Sequence, residues 1–323
     1  MPRLQKGAYL IKMCVLVFCM TAFISTKECL RDTASVLPAL FYFTQNSLFF
    51  TVGKFQTTSS FSIAFFEILY KSFLVIGGMP EAVSAFLDTG SILESQKVHR
   101  DIVMNFMDDF QKYDSPVPPD VLKRVFDFAA HHVCSQVKSS SAVEGVSAYI
   151  FDESIDLLHR AGLIHPVKAS SCDVIPLGST SKEANKKLIL FDTGVYLTHC
   201  GLDAASLMAS QIFDEMNRGN IIEMAVGLEL IKSSDFHTES DLYYWYRSGA
   251  NAEVDYVIQA GENILPIEVK ASGKGSMQSL WSYLSSHTLS PFGIRVSLEN
   301  YGSYDDIRVC PVYAAHKIRD MSI

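Results

Sequence analysis

Ala252-Glu253-Val254-Asp255-Tyr256-Val257-Ile258-Gln259-Ala260-Gly261-Glu262-Asn263-Ile264-Leu265-Pro266-Ile267-Glu268-Val269-Lys270-Ala271 reads as two strands joined by a short polar turn that contains Gly261 and Asn263. With Ala260–Asn263 as a four-residue loop, Gln259 faces Ile264, and the pairs Ile258–Leu265, Tyr256–Ile267 and Val254–Val269 follow. One side of the hairpin is then wholly apolar. On the other side Glu253 faces Lys270, and Asp255 faces Glu268. Like charges directly opposite each other in a ladder are destabilising. At ~4 Å and an effective dielectric near 20 the repulsion is on the order of 4 kcal/mol before solvent relaxes it. A chain that keeps this pair needs a compensating cation, either Lys270 or a hard divalent metal. The competing reading is a solvated strand face, on which Glu253–Lys270 is a surface pair worth under about 1 kcal/mol. Both rest on the register, since a slip of one residue changes every partner.

The chain around this hairpin has 323 residues, of which 48% are hydrophobic and 19% charged, the balance of a globular protein of about two domains. The net charge of −8 is unevenly spread: the first 60 residues carry +4 and the remainder −12. That acidity argues against broad phosphate binding, which Lys and Arg drive. Nucleic-acid contact would have to be local or metal-bridged. Cys14, Cys19, Cys29, Cys134, Cys172, Cys200 and Cys310 form no C-x-x-C pair. An odd, scattered set fits a reduced, cytoplasmic protein better than a disulfide framework, and argues against structural zinc.

The amino end points elsewhere. Met13–Ile24 is an apolar run preceded by Arg3, Lys6 and Lys12, the outline of a signal peptide without a clean cleavage site. It is short for a membrane span. Residues 1–61 are therefore read as a leader or the remnant of a lost domain, with export as the alternative.

Residues 62–200 read as a helical and winged-helix region. Gly77-Gly78-Met79-Pro80 precedes helical patterns at 82–87 and 91–113, and Pro116, Pro118 and Pro119 mark a break. Val121, Leu122, Val125, Phe126 and Ala129 recur at helical spacing. A further helix from about 147 to 161 places Phe151, Ile155 and Leu158 on one face and ends at Gly162. Leu163–Val167, a polar loop rich in Ser and Lys, and Leu188–Phe191 suggest the wing. A DNA-reading helix is flanked by basic groups. This one carries Asp152, Glu153 and Asp156 against His159 and Arg160, which favours packing or protein contact.

Residues 201–323 open with a helix at about 219–232, then strands near 241–247, 253–258 and 264–270, a helix near 276–286, and strands near 292–297 and 306–313. The run Tyr243-Tyr244-Trp245-Tyr246 could stack bases, but alternate rings of a strand face a core and packing is the better account. His131-His132 point to different sides of a helix and make a poor joint metal site. No G-x-x-x-x-G-K-[ST] loop occurs, so nothing here holds nucleotide phosphates in that manner.

The order helix, three strands, helix, strand, with Glu223 on the first helix, Asp255 on the second strand and Glu268-Val269-Lys270 on the third, resembles the PD-(D/E)XK nuclease core. Gly77-Gly78-Met79-Pro80-Glu81-Ala82-Val83, Arg100-Asp101-Ile102, Asp108-Asp109-Phe110, Phe191-Asp192-Thr193-Gly194, Tyr246-Arg247 and Glu253-Val254-Asp255 resemble the carboxy-terminal domain of unknown function 4143 of prokaryotic AAA-type ATPases, over residues 62–316. The resemblance implies an α+β fold, with a restriction-endonuclease-like αβββαβ domain after the winged helix. It implies the accessory half of such an ATPase, lacking the ATPase domain. It makes Asp255, Glu268 and Glu223 the ligands of Mg²⁺, with Asp255, Glu268 and Lys270 as catalytic residues of a metal-dependent phosphodiesterase. Metal would lower the pKa of a bound water and clamp the scissile phosphate. Lys270 would orient that water or offset the developing charge. Gly227, one turn beyond Glu223, would let the helix approach the sheet. The alternative is a non-catalytic module that docks on an ATPase domain elsewhere. The implied partners are thus nucleic acid or an ATPase domain in trans, with no membrane span.

Overall fold

The computed structural model describes residues 70–322 apart from 113–114, 203, 205–207, 209–218, 235–241, 248, 250–251 and 271–274. The leader or signal-like segment read at 1–61 lies outside the described residues. Helical residues 70–76 lead into α1 (Pro80–Thr89) and α2 (Ile92–Asp109), followed by α3 (Pro119–His131), β1 (Val137–Lys138) and α4 (Ala148–Arg160). The hairpin β2 (Ile164–Ser170) and β3 (Ser181–Leu190) and the short α5 (Thr193–His199) come next. Then come α6 (Gly219–Lys232), β4 (Tyr243–Tyr246), β5 (Glu253–Ala260), β6 (Asn263–Val269), α7 (Gln278–Leu284), β7 (Gly293–Ser297), β8 (Gly302–Tyr304) and β9 (Ile307–Pro311). 3₁₀ turns over Val312–Ser322 follow.

The element boundaries follow local chemistry. Prolines open α1 and α3, where a first-turn N–H needs no partner. Leu122, Val125, Phe126 and Ala129 form the buried stripe of α3, and Phe151, Ile155 and Leu158 that of α4. The Ser147 hydroxyl caps α4 by accepting from the Ile150 N–H at 3.3 Å. The fold class is α+β.

One sheet of the described residues runs in the order β1-β3-β2-β4-β5-β6-β7-β9-β8, mostly antiparallel, with β2–β4, β6–β7 and β7–β9 parallel. The hairpin read as a wing forms, with Ile164 opposite Leu190, but it is not free-standing. Its β2 edge pairs with β4 through Lys168–Tyr243 and Ala169–Tyr244, so the sheet crosses the boundary read at 200/201. The stretch read as a polar loop before Leu188 is the first half of β3. It projects beyond the core, and its exposed residues show no alternation to read.

The β5–β6 ladder has the register expected: Tyr256–Ile267, Ile258–Leu265 and Gln259–Ile264. It continues to Ala260–Asn263, leaving a tighter turn in which Gly261 adopts φ +62°. At the other end the expectation fails. Tyr243 pairs with Val257 while Trp245 pairs with Val254, so Asp255 and Tyr256 together oppose Tyr244. That extra residue is a β-bulge, which re-aims the side chains beside it. Val254 consequently packs with Val257, Ile264, Trp245 and Leu280 in a smaller core under α7. Tyr256, Ile258, Leu265 and Ile267 belong to the main core with α3, α4 and α6.

Two of the motifs quoted above meet at a clasp. Asp192 Oδ2 accepts from the Gly78 N–H at 2.6 Å, and its Oδ1 accepts from the Val195 N–H at 2.9 Å, capping α5. Gly77 adopts φ +68°, and a Cβ there would lie 2.2 Å from Asp192 Oδ1. His99, wholly buried in α2, has Nε2 3.0 Å from the Ile76 carbonyl and Nδ1 3.1 Å from the Thr198 hydroxyl.

Candidate functional site: an acid cluster closed by two lysines

The bulge delivers Glu253 and Asp255 to the side of the sheet where α6 presents Glu223. All three converge on Lys187 of β3. Its ammonium lies 2.8 Å from Glu223 Oε1 and 3.6 Å from Asp255 Oδ1, and it also contacts Glu253 Oε1. Lys187 is 1% exposed, and its Nζ sits 5.4 Å from the Tyr244 ring centroid. The other oxygen of Glu253 accepts from Gln136, and Asp255 Oδ2 accepts from the Val269 N–H at 2.8 Å. Glu268 is held separately, with Oε1 2.5 Å from Lys270 Nζ.

The four residues expected to form one site therefore divide between two cations. Glu223 and Asp255 gather around Lys187, and Glu268 pairs with Lys270. Glu253 meets Lys187 in place of the expected Lys270, while Asp255 reaches Lys187 and still acts on Glu268 as its strongest charge neighbour. Gly227 allows this geometry: a Cβ at that position would lie 2.5 Å from the Tyr256 hydroxyl and 3.0 Å from Ile189 Cδ1. The Tyr256 hydroxyl in turn donates to the Glu223 carbonyl at 2.8 Å.

Sequence reasoning missed Lys187. The hairpin offered two like-charged acids and one visible lysine, so a second cation was needed. The signal was the position of Lys187 directly before the apolar run Leu188-Ile189-Leu190, all of it buried.

Burial governs the ionisation. It pushes Glu223 up to about 8, with Lys187 pulling back and Asp255 and Glu253 pushing further. It pushes Glu268 up to about 7, reinforced by Asp255 and opposed by Lys270. Burial also disfavours the Lys187 ammonium, but Glu223, Asp255 and Glu253 more than reverse this and leave it well above the ordinary lysine range. Three carboxylates gather around one ammonium, and burial among them lets Glu223 keep its proton toward neutral pH.

As placed, these residues do not fit a Mg²⁺ shell. That ion takes several oxygen ligands in near-octahedral geometry. Here Glu223 Oε1, Asp255 Oδ1 and Glu268 Oε1 face lysine ammoniums, and Asp255 Oδ2 holds a backbone N–H. Among the described residues no group of three or more His, Cys, Asp or Glu side chains is arranged to hold a metal ion. Glu268 Oε2 is the exception: it is buried with no hydrogen-bond partner among the described residues.

The remaining candidates are structural. His131 and His132 each bond a carbonyl of their own helix, at Asp127 and Phe128. Tyr243, Tyr244 and Trp245 are 6%, 0% and 7% exposed, so the aromatic run packs the core. Asp152 of the acidic helix α4 accepts from Lys186 and from Ser139, both at 2.7 Å. Cys134, Cys172, Cys200 and Cys310 carry free thiols, and no helix among the described residues is long and apolar enough to cross a membrane.

Comparison with known families gives two matches along the chain. Residues 67–206 match the profile of a domain of unknown function, number 8612, and residues 218–315 match another, number 4143. The resemblance drawn over 62–316 as one domain thus resolves into two, with the 4143 match confined to the second. No curated protein and no solved structure matches the chain. Lys187 lies in the first matched segment, and the acids it holds lie in the second.

Proposed function

We propose that the chain is a non-catalytic protein-interaction module, accessory to an AAA-type ATPase domain that lies outside it. The supporting observation is the engagement of the acid cluster by Lys187 and Lys270 within the fold. A site awaiting metal and a phosphodiester leaves its carboxylates to the ion; this one commits them to ammoniums. The charge of −12 over residues 61–323 supports the same reading, because an acidic surface repels a phosphate backbone. The test has two arms. The full chain should bind a purified AAA-type ATPase domain in analytical ultracentrifugation, and it should leave a labelled duplex and a labelled single strand free at moderate salt. Tight binding of either nucleic acid would remove the proposal.

A second reading is a metal-dependent nuclease-like phosphodiesterase, favoured by Glu268-Val269-Lys270 and the unpartnered Glu268 Oε2. It requires the wild-type chain to bind Mg²⁺ or Mn²⁺ in calorimetric titration and to cleave plasmid or single-stranded DNA. Asp255→Ala should then lose both while its circular dichroism is unchanged. Metal binding that survives that substitution would end this reading.

A further inference from the structure

α7 and the turn after it present a face unlike the rest of this acidic chain. Residues 275–294 hold no Asp, Glu, Lys or Arg, the longest such run among the described residues. At 19% charged, twenty residues would ordinarily carry about four. The helix has two distinct sides. Met277, Leu280, Tyr283 and His287 are buried, and Leu280 and Tyr283 fill the smaller core. Gln278, Trp281 and Ser285 recur at helical spacing on the other side and are exposed, Trp281 by 46%. Leu289 is exposed as well. Charged neighbours stand at the margin of the run. Asp173 Oδ1 lies 3.3 Å from His287 Nε2, and Lys270 Cδ would lie 3.1 Å from a Cβ at Gly275. Glu253 donates its N–H to the Ser279 hydroxyl at 3.4 Å, but its carboxylate is turned to Lys187. A lone exposed apolar side chain needs no explanation. A tryptophan within an uncharged surface, with charge at the margin, has the make-up of an interface core.

We propose that two copies of this chain meet on the outer face of α7, with a two-fold axis passing beside Trp281. The charge distribution selects that occupant. Residues 61–323 carry −12, so two copies repel each other in most orientations. A two-fold axis adds a stricter condition, because each residue beside it meets its own copy and a charge there repels itself. The outer face of α7 meets that condition. A different protein would impose no such condition, and its approach would be guided by opposite charges, which this face does not offer. Twelve residues of the run reach solvent. That is fewer than the roughly 20–30 a side of a standard interface, so the dimer is a dissociating one. Self-contact is separate from the docking of an ATPase domain, and each is measured without the other.

The test is sedimentation equilibrium of the full chain over about a hundredfold range of concentration. The wild type should pass from monomer to dimer mass. Acrylamide quenching should fall in step as Trp281 is covered, since Trp245 is only 7% exposed at the outset. Trp281→Ser should weaken the dimer at least tenfold with its circular dichroism unchanged. Ser282→Glu and Ser282→Lys, at the half-buried neighbour of Trp281, should each stay monomeric, and an equimolar mixture of the two should associate again. That rescue is peculiar to a contact of the chain with itself. Ser285→Glu and Ser285→Lys, at an exposed position, replace any Ser282 variant that unfolds. A wild type that stays monomeric throughout overturns the proposal. So does a dimer that these substitutions leave intact, and so does a mixture no more associated than either variant alone.

Discussion

His99 shows how a single buried side chain carries the pH response of its surroundings. A carbonyl can only accept, so the hydrogen bond to Ile76 assigns the ring proton to Nε2, and Nδ1 accepts from the Thr198 hydroxyl. The neutral ring is fully satisfied. Burial lowers its pKa below the ordinary 6.5, against a weaker upward pull from Asp192. The unfolded chain takes up a proton near that ordinary value while the folded chain does not. Stability that His99 supports at neutral pH is therefore lost as pH falls below about 6.5. Urea midpoints between pH 8 and 5 should show this loss in the wild type and a flatter profile in His99→Gln. An unchanged profile would mean that other groups set the response. Residues of this kind were only partly legible in the sequence. Gly77-Gly78 and Asp192-Thr193-Gly194 stood out as motifs, yet nothing in their spacing said that one clasps the other across 114 positions. Lys187 was hidden for a different reason, since its partners Glu223, Glu253 and Asp255 come from two other elements, α6 and β5.

Elements were easier to read than their faces. The alternation of Tyr256, Ile258, Leu265 and Ile267 gave the correct register of β5 and β6, because each pair buries apolar area on one side. The bulge at Asp255 and Tyr256 was not legible, since it is set by the pairing of β5 with β4 and not by either strand alone. The two-residue β1 and the exposed three-residue β8 were missed because such short runs show no periodicity. The bulge does have a consequence that can be tested through Gly227. Tyr256 is turned toward α6, and its hydroxyl would lie 2.5 Å from a Cβ at position 227. Gly227→Ala should therefore destabilise the chain by about 1–3 kcal/mol, as overpacking of a filled core does. In a double-mutant cycle followed by chemical denaturation, Tyr256→Phe should recover part of that loss by removing the clashing oxygen. Strict additivity of the two substitutions would show that α6 and β5 do not meet as described.

Taken whole, the molecule binds its two family-matched segments together more closely than a two-domain reading allows. The parallel contact of β2 with β4 makes one sheet of strands from both segments, and it was invisible in sequence because only two residue pairs define it. The main core draws on both as well, with Phe126, Phe151 and Ile189 from the first and Val226, Tyr256 and Ile267 from the second. Lys187 adds a buried charge link across the same junction. Breaking a buried ion pair from one side typically costs about 3–5 kcal/mol, because the other charges are left uncompensated. Such coupling should make the segments unfold together. Trp245 and Trp281, the two tryptophans of the chain, both report on the second segment. Far-UV circular dichroism is weighted toward the first, which holds α1 to α5. The two signals should therefore trace one transition with a common denaturant midpoint. Lys187→Ala should move both midpoints downward by the same amount. Separated midpoints in the wild type would show that the shared sheet and the buried lysine do not couple the segments, and the lysine would then be a local feature of the acid cluster alone.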